Sequence, residues 1–190
     1  MSTLHVENLK GLSSGGNANK IIVPSGQTID ASAGTLVPSA GQVIQVQKSS
    51  IRTAASTFST TTLAEVSGNY RVSITPKIAT SSYIHCTFSY HSIINDSTMM
   101  GVAIYVSTDG GSTFASAMDG GGQNPAIGET HRNETSGRIS TRSHTSTFYD
   151  QYSTTDPLIF TIYANRSSGS SIARINDNGG GSFLTCMEIV

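Results

Sequence analysis

The sequence predicts an all-β protein, an extended N-terminal stem followed by an antiparallel β-sandwich that is jelly-roll-like in its connections. Three observations carry this. Ser and Thr fill 53 of the 190 positions and Gly another 19, while charged residues make up 12%. Ser, Thr and Gly are poor helix interiors, and a charge share about half the usual ~25% is not that of a conventionally disordered chain. Short runs alternate apolar and polar residues, as strands with one buried face do. Finally, residues 1–41 hold no aromatic residue and no apolar run longer than three, so this stretch cannot bury its own side chains.

The stem contains an echo. Val23-Pro24-Ser25-Gly26-Gln27 returns as Val37-Pro38-Ser39-Ala40-Gly41-Gln42. Its apolar residues, Leu4, Val6, Leu9, Ile21, Val23, Ile29, Leu36 and Val37, are separated by Gly/Ser turns. They can hide only against the following domain or against copies of the same segment from neighbouring chains. Three intertwined stems would place Ile21, Val23, Ile29, Leu36 and Val37 at a shared axis and remove exposed strand edges. The domain reading is therefore a stem over 1–41, for attachment or trimerisation, and a sandwich over 42–190.

Strands follow in order after Gly41. Gln42 to Gln47 alternates. Thr57 to Thr62 is a second β-forming run. Tyr70, Val72 and Ile74 share a face, and Pro76 ends that strand because proline removes a ladder donor. From Tyr83 to Tyr90 the alternation is sharpest, with Ile84, Cys86, Phe88 and Tyr90 on one side. Val102, Ile104 and Val106 form the next apolar face. Asp109-Gly110-Gly111 then supplies the positive φ angles of a tight hairpin. Leu158, Phe160 and Ile162 share a face, and Phe183 to Val190 is apolar enough to be paired inside a sheet. Between these, about 115–156, lies a Gly-, Ser- and Thr-rich region expected to be a long loop.

Composition excludes several classes. A net charge of −1 gives no general attraction to nucleic acid or anionic membrane. No stretch approaches the roughly 18 apolar residues of a membrane span, so no membrane insertion is expected. The opening Met1-Ser2-Thr3 leads into polar residues without the core of a secretory signal, which predicts assembly in a cytoplasm. Cys86 and Cys186 make neither a disulfide scaffold nor a metal pattern; buried hydrophobe and mutual bond are the two readings.

Several stretches resemble a recurring class of tailed-phage virion proteins, particularly those of phages of marine bacteria and cyanobacteria. They are Met1 to Leu9, the Pro24 to Thr28 turn, Gly41 to Val46, Phe58 to Thr61, Ser73 to Pro76 and Met187 to Ile189. The resemblance implies a tail-fibre, baseplate or other virion structural component, and a homotrimer. Its implied partners are sister chains and other tail, baseplate or capsid proteins, with a host-surface glycan or protein beyond them. Its implied place is the virion. A capsid head fibre or decoration protein is the alternative within the same class. A carbohydrate-binding or depolymerising host-recognition module is the alternative outside it.

No constellation points to catalysis, and no catalytic residue, metal ligand set or cofactor is assigned. Ser107-x-Asp109-x-Gly111-x-Thr113-Phe114 fits the Asp-box pattern of sialidases and other propellers, but that pattern is a hairpin motif and appears once. Glycoside hydrolysis needs paired carboxyl groups, and those of Asp96, Asp109, Asp119, Glu129, Glu134, Asp150, Asp156 and Asp177 are scattered. There is no His-x-His or Cys-x-x-Cys. The loop region offers one functional hint. His131, Arg132, Arg142, His144, Tyr149 and Tyr152, with Phe148, can supply donors and stacking faces to a sugar or protein partner. Equally, its aromatics can cover the core from outside.

Overall fold

The computed structural model describes residues 13–15, 25–26, 39–49, 56–95, 99–117, 128–130, 138–168, 173–176 and 181–190. The chain divides into two units, Met1–Val37 and Pro38–Val190. The proposed stem residues Leu4, Val6, Leu9, Ile21, Val23, Ile29, Leu36 and Val37 lie outside the described residues. Within Pro38–Val190 the protein is nearly all β and antiparallel. Its strands are β1 (Val43–Lys48), β2 (Ser56–Phe58), β3 (Ala64–Glu65), β4 (Val72–Ile74), β5 (Tyr83–Asn95) and β6 (Met99–Ser107). They continue with β7 (Ala115–Ser116), β8 (Gly128–Thr130), β9 (Arg138–Tyr149), β10 (Leu158–Ser168), β11 (Ala173–Ile175) and β12 (Phe183–Ile189). One 3₁₀ turn, Gly68–Tyr70, precedes β4.

Two sheets result. In the first, β5 is the spine. β9 runs antiparallel along one side of it, from Ile84 opposite Tyr149 to Asn95 opposite Arg138. On the other side β12 takes the first half of β5 and β11 the second. β1 closes the sheet beyond β12, and β2 beyond β11. Pairing starts ahead of β1, where the Gly41 N–H donates to the Val190 carbonyl. The second sheet is built on the long β10–β6 pair, with β3 and β4 flanking β10 and β7 and β8 flanking β6.

The core forms where the alternating faces of both sheets meet. Ile84, Cys86, Phe88 and Tyr90 of β5 are buried, as are Met100, Val102, Ile104 and Val106 of β6 and Leu158, Phe160 and Ile162 of β10. Tyr70, Val72 and Ile74 join them as their spacing predicts. Each such aliphatic or aromatic side chain contributes about 1.5–3 kcal/mol by leaving water. Phe88 stacks on Tyr90 at 4.9 Å and meets the edge of Tyr70 at 5.3 Å. The Tyr70 hydroxyl, which must find a partner in so dry a place, bonds Ser182 at 3.0 Å. Cys86 and Cys186 sit opposite one another in β5 and β12, both buried and free, with sulfurs 3.0 Å apart.

The Asp109 hairpin is self-contained. The carboxylate of Asp109 accepts the Ser107 hydroxyl at 2.6 Å, the Thr113 hydroxyl at 2.6 Å and the backbone N–H groups of Ser112 and Thr113 at 3.0 Å. Gly110 and Gly111 carry φ of 74° and 90°, the region only glycine enters freely. All of these donors lie within four residues of Asp109, so the Asp-box residues here build a turn.

One expectation is corrected. Residues 115–156 are not loop throughout, because they contain β7, β8 and the 12-residue β9. β9 reads Arg-Ile-Ser-Thr-Arg-Ser-His-Thr-Ser-Thr-Phe-Tyr, with no apolar alternation over most of its length. Thr145 and Thr147 take buried positions that aliphatic side chains occupy in β5. Among the described residues β9 pairs with β5 alone, and such a strand can form from pairing without an apolar signature.

Candidate functional site

The pairing of β9 with β5 decides where the loop-region residues go. Side chains alternate across a strand, so Arg142, His144, Ser146 and Phe148 share the outward face of the first sheet while Thr145, Thr147 and Tyr149 turn inward. Their register partners on that outer face are His91, Ser89, Thr87 and His85. The sequence singles out six residues. Of these, Arg142 and His144 are exposed on the outer face. Tyr149 is not ligand-facing: it is buried, with its ring edge-on to Phe160 at 5.7 Å. Tyr152 is half-buried against the core and lines a cleft at the surface. His131 and Arg132 lie outside the described residues.

The structure draws Tyr152 and Phe148 together at one place. A cleft of about 670 Å³ opens between the Ala79–Ser82 loop and the turn after β9, walled by Tyr83, Phe148, Asp150 and Tyr152. A volume of this order is that of a small-molecule site. Phe148 is 59% exposed, the most exposed large apolar side chain among the described residues. Its ring plane is nevertheless fixed. It stacks on His85 at 4.5 Å with 13° between planes, and lies 5.4 Å from Tyr83. Burial lowers the pKa of His85, which keeps the stacked imidazole neutral near pH 7.

The opposite wall hangs from a carboxylate that is fully buried. Glu188, on the inward side of β12, accepts the backbone N–H groups of Lys77 at 2.9 Å and Ile78 at 3.0 Å. It also accepts the Ser82 hydroxyl at 2.9 Å and the Gln45 amide. Burial pushes its pKa up. The Lys77 N–H, the Gln45 amide, the Ile78 N–H and the Ser82 hydroxyl outweigh that and hold it below the usual 4.5. Ser82 has a single proton, directed at Glu188 or at the Ile78 carbonyl 2.7 Å away, so the Tyr152 hydroxyl at 2.8 Å is the donor in their contact. Burial raises the Tyr152 pKa, and the phenol stays protonated for that role. The chain Glu188–Ser82–Tyr152 thus fixes both the loop and the tyrosine of the cleft.

Asp150 stands apart from the other described carboxylates. Glu65 is paired bidentately with Arg71 at 2.8 Å, Asp156 accepts the Thr154 hydroxyl, and Asp109 and Glu188 are saturated as described. Asp150 is exposed at the cleft edge beside the exposed hydroxyls of Thr80 and Ser81. A smaller depression of about 190 Å³ shares Tyr152 and is bordered by Asp156 and Thr154. Among the described residues, no three His, Cys, Asp or Glu side chains converge on a metal position, and no helix is long and apolar enough to cross a membrane.

Sequence reasoning named Tyr152, Phe148 and, as one of several scattered acids, Asp150. It missed Tyr83, His85, Ser82 and Glu188, which are distant in sequence and meet the turn after β9 only through strand pairing. No protein-family model matches the chain, and no curated protein matches it.

Proposed function

We propose that the chain is a non-enzymatic structural protein of a tailed-phage virion, a trimeric tail fibre or short appendage. In this reading the N-terminal stem attaches it to the particle and packs against sister stems. The two sheets form a jelly-roll-like sandwich that is displayed for host attachment. The sequence resemblance supports the class. The observation that carries the display role is Phe148, a ring held in a fixed plane by His85 and Tyr83 yet left 59% exposed at a cleft. A ring held in this way is available for contact with a partner. Three copies on one stem would turn weak contacts into avidity.

The test is the particle itself. Antibody labelling of intact virions should place the protein on a tail appendage, and deletion of residues 1–41 should abolish incorporation while the truncated chain keeps its β-signal. Light scattering of the full chain should give a trimer; a stable monomer at micromolar concentration would remove the main support. Labelling on the head would move the protein to the head-fibre or decoration class.

A further inference from the structure

We infer that the cleft between the Ala79–Ser82 loop and the turn after β9 binds an uncharged pyranose of a host-surface glycan. This rests on the attachment reading and names its ligand class. A pyranose carries weakly positive C–H bonds on its ring faces and hydroxyls around its rim. The cleft offers a partner for each. Phe148, in the cleft lining and 59% exposed, offers aromatic surface to polarised C–H groups. Its plane is set before any ligand arrives, because His85 stacks on it at 4.5 Å, so little side-chain freedom is lost on binding.

The rim hydroxyls meet acceptors. Asp150, exposed at the cleft, is an acceptor-only group whose two oxygens can take hydrogen bonds from neighbouring hydroxyls of one ring. Such charge-assisted bonds are the stronger kind. The Tyr152 oxygen, whose proton goes to Ser82, retains lone pairs, and Thr80 and Ser81 can donate or accept. The one charged group of the lining is negative, so the site favours neutral sugars over anionic ones. Its volume of about 670 Å³ falls within the usual ligand range.

Saturation-transfer NMR on the full chain tests this. Probes are methyl β-D-glucopyranoside, methyl α-D-mannopyranoside and methyl β-D-galactopyranoside, with N-acetylneuraminic acid as the anionic comparison. At least one neutral pyranoside should receive saturation, and N-acetylneuraminic acid should not. Phe148→Ala and Asp150→Asn should each weaken binding about tenfold. Both positions are exposed, and circular dichroism should show both variants folded. Silence with all three neutral sugars, retained binding in either variant, or preference for N-acetylneuraminic acid would overturn the assignment. Particle labelling is independent of these outcomes. A chain absent from virions that still binds pyranosides would sink the attachment reading and keep the cleft, and a virion protein silent with sugars would do the reverse.

Discussion

Asp109 and Glu188 are both carboxylates that gather hydrogen-bond donors, yet they organise the protein in opposite ways. Asp109 takes Ser107, Ser112 and Thr113, all within four positions of itself. Glu188 takes Lys77, Ile78, Ser82 and Gln45, from 106 to 143 positions away. The first is solvent-exposed and stabilises one turn. The second is buried and joins β1, β12 and the Ala79–Ser82 loop, and through Ser82 it reaches Tyr152. A local network shapes a hairpin regardless of what surrounds it. A long-range one makes the cleft depend on the completed sheet.

Removing the buried carboxylate should have the largest effect. Glu188→Ala would leave the backbone N–H groups of Lys77 and Ile78 without their acceptor, while the Gln45 amide keeps the Thr75 carbonyl, costing about 3 kcal/mol. Urea unfolding should show it, and amide exchange at Lys77 and Ile78 should accelerate together. If stability is unchanged, Glu188 is not the anchor of that wall.

Acid should expose the same contrast. Because the folded state holds Glu188 below its usual 4.5, its ionisation contributes stability that is present above that value and lost as pH falls through the depressed folded one. The stability difference between the native protein and Glu188→Gln should be full at pH 7 and shrink below about pH 4.5. A difference independent of pH would mean that the buried group is not ionised.

Smaller still, Ser82→Ala should cost about 1 kcal/mol and loosen Tyr152. Its readout is the tyrosine environment in near-ultraviolet circular dichroism. Least of all, Asp109→Asn should speed amide exchange at Ser112 and Thr113 while leaving the melting temperature nearly unaltered. A global loss comparable to that of Glu188→Ala would erase the distinction between the two carboxylates.

The same distinction separates what could be read from sequence and what could not. Ile84, Cys86, Phe88 and Tyr90 announce a buried face because the strand's own period reports it, and Asp109-Gly110-Gly111 announces a turn because its partners are adjacent. β9 is silent: its buried positions hold Thr145 and Thr147, and it is set by pairing with β5. The site shows the same split. Phe148 and Tyr152 stand out as aromatics in a polar stretch, whereas Tyr83, His85 and Ser82 become site residues only once β5 lies beside β9. Tyr149 reads as ligand-facing for the same reason, since register alone turns it inward while its neighbour Phe148 faces out. Arg142 and His144 do share that outward face, but His144 lies about 14 Å along the strand from Phe148 at ~3.4 Å per residue.

β12 lies between β1 and β5, and β1 pairs with it about 140 residues further along the chain. During synthesis, therefore, β1 must wait with its ladder unmade until β12 has emerged. Contacts of such sequence separation close slowly. The order in which the strands are delivered thus leaves the first sheet unclosed at β1 until β12 arrives.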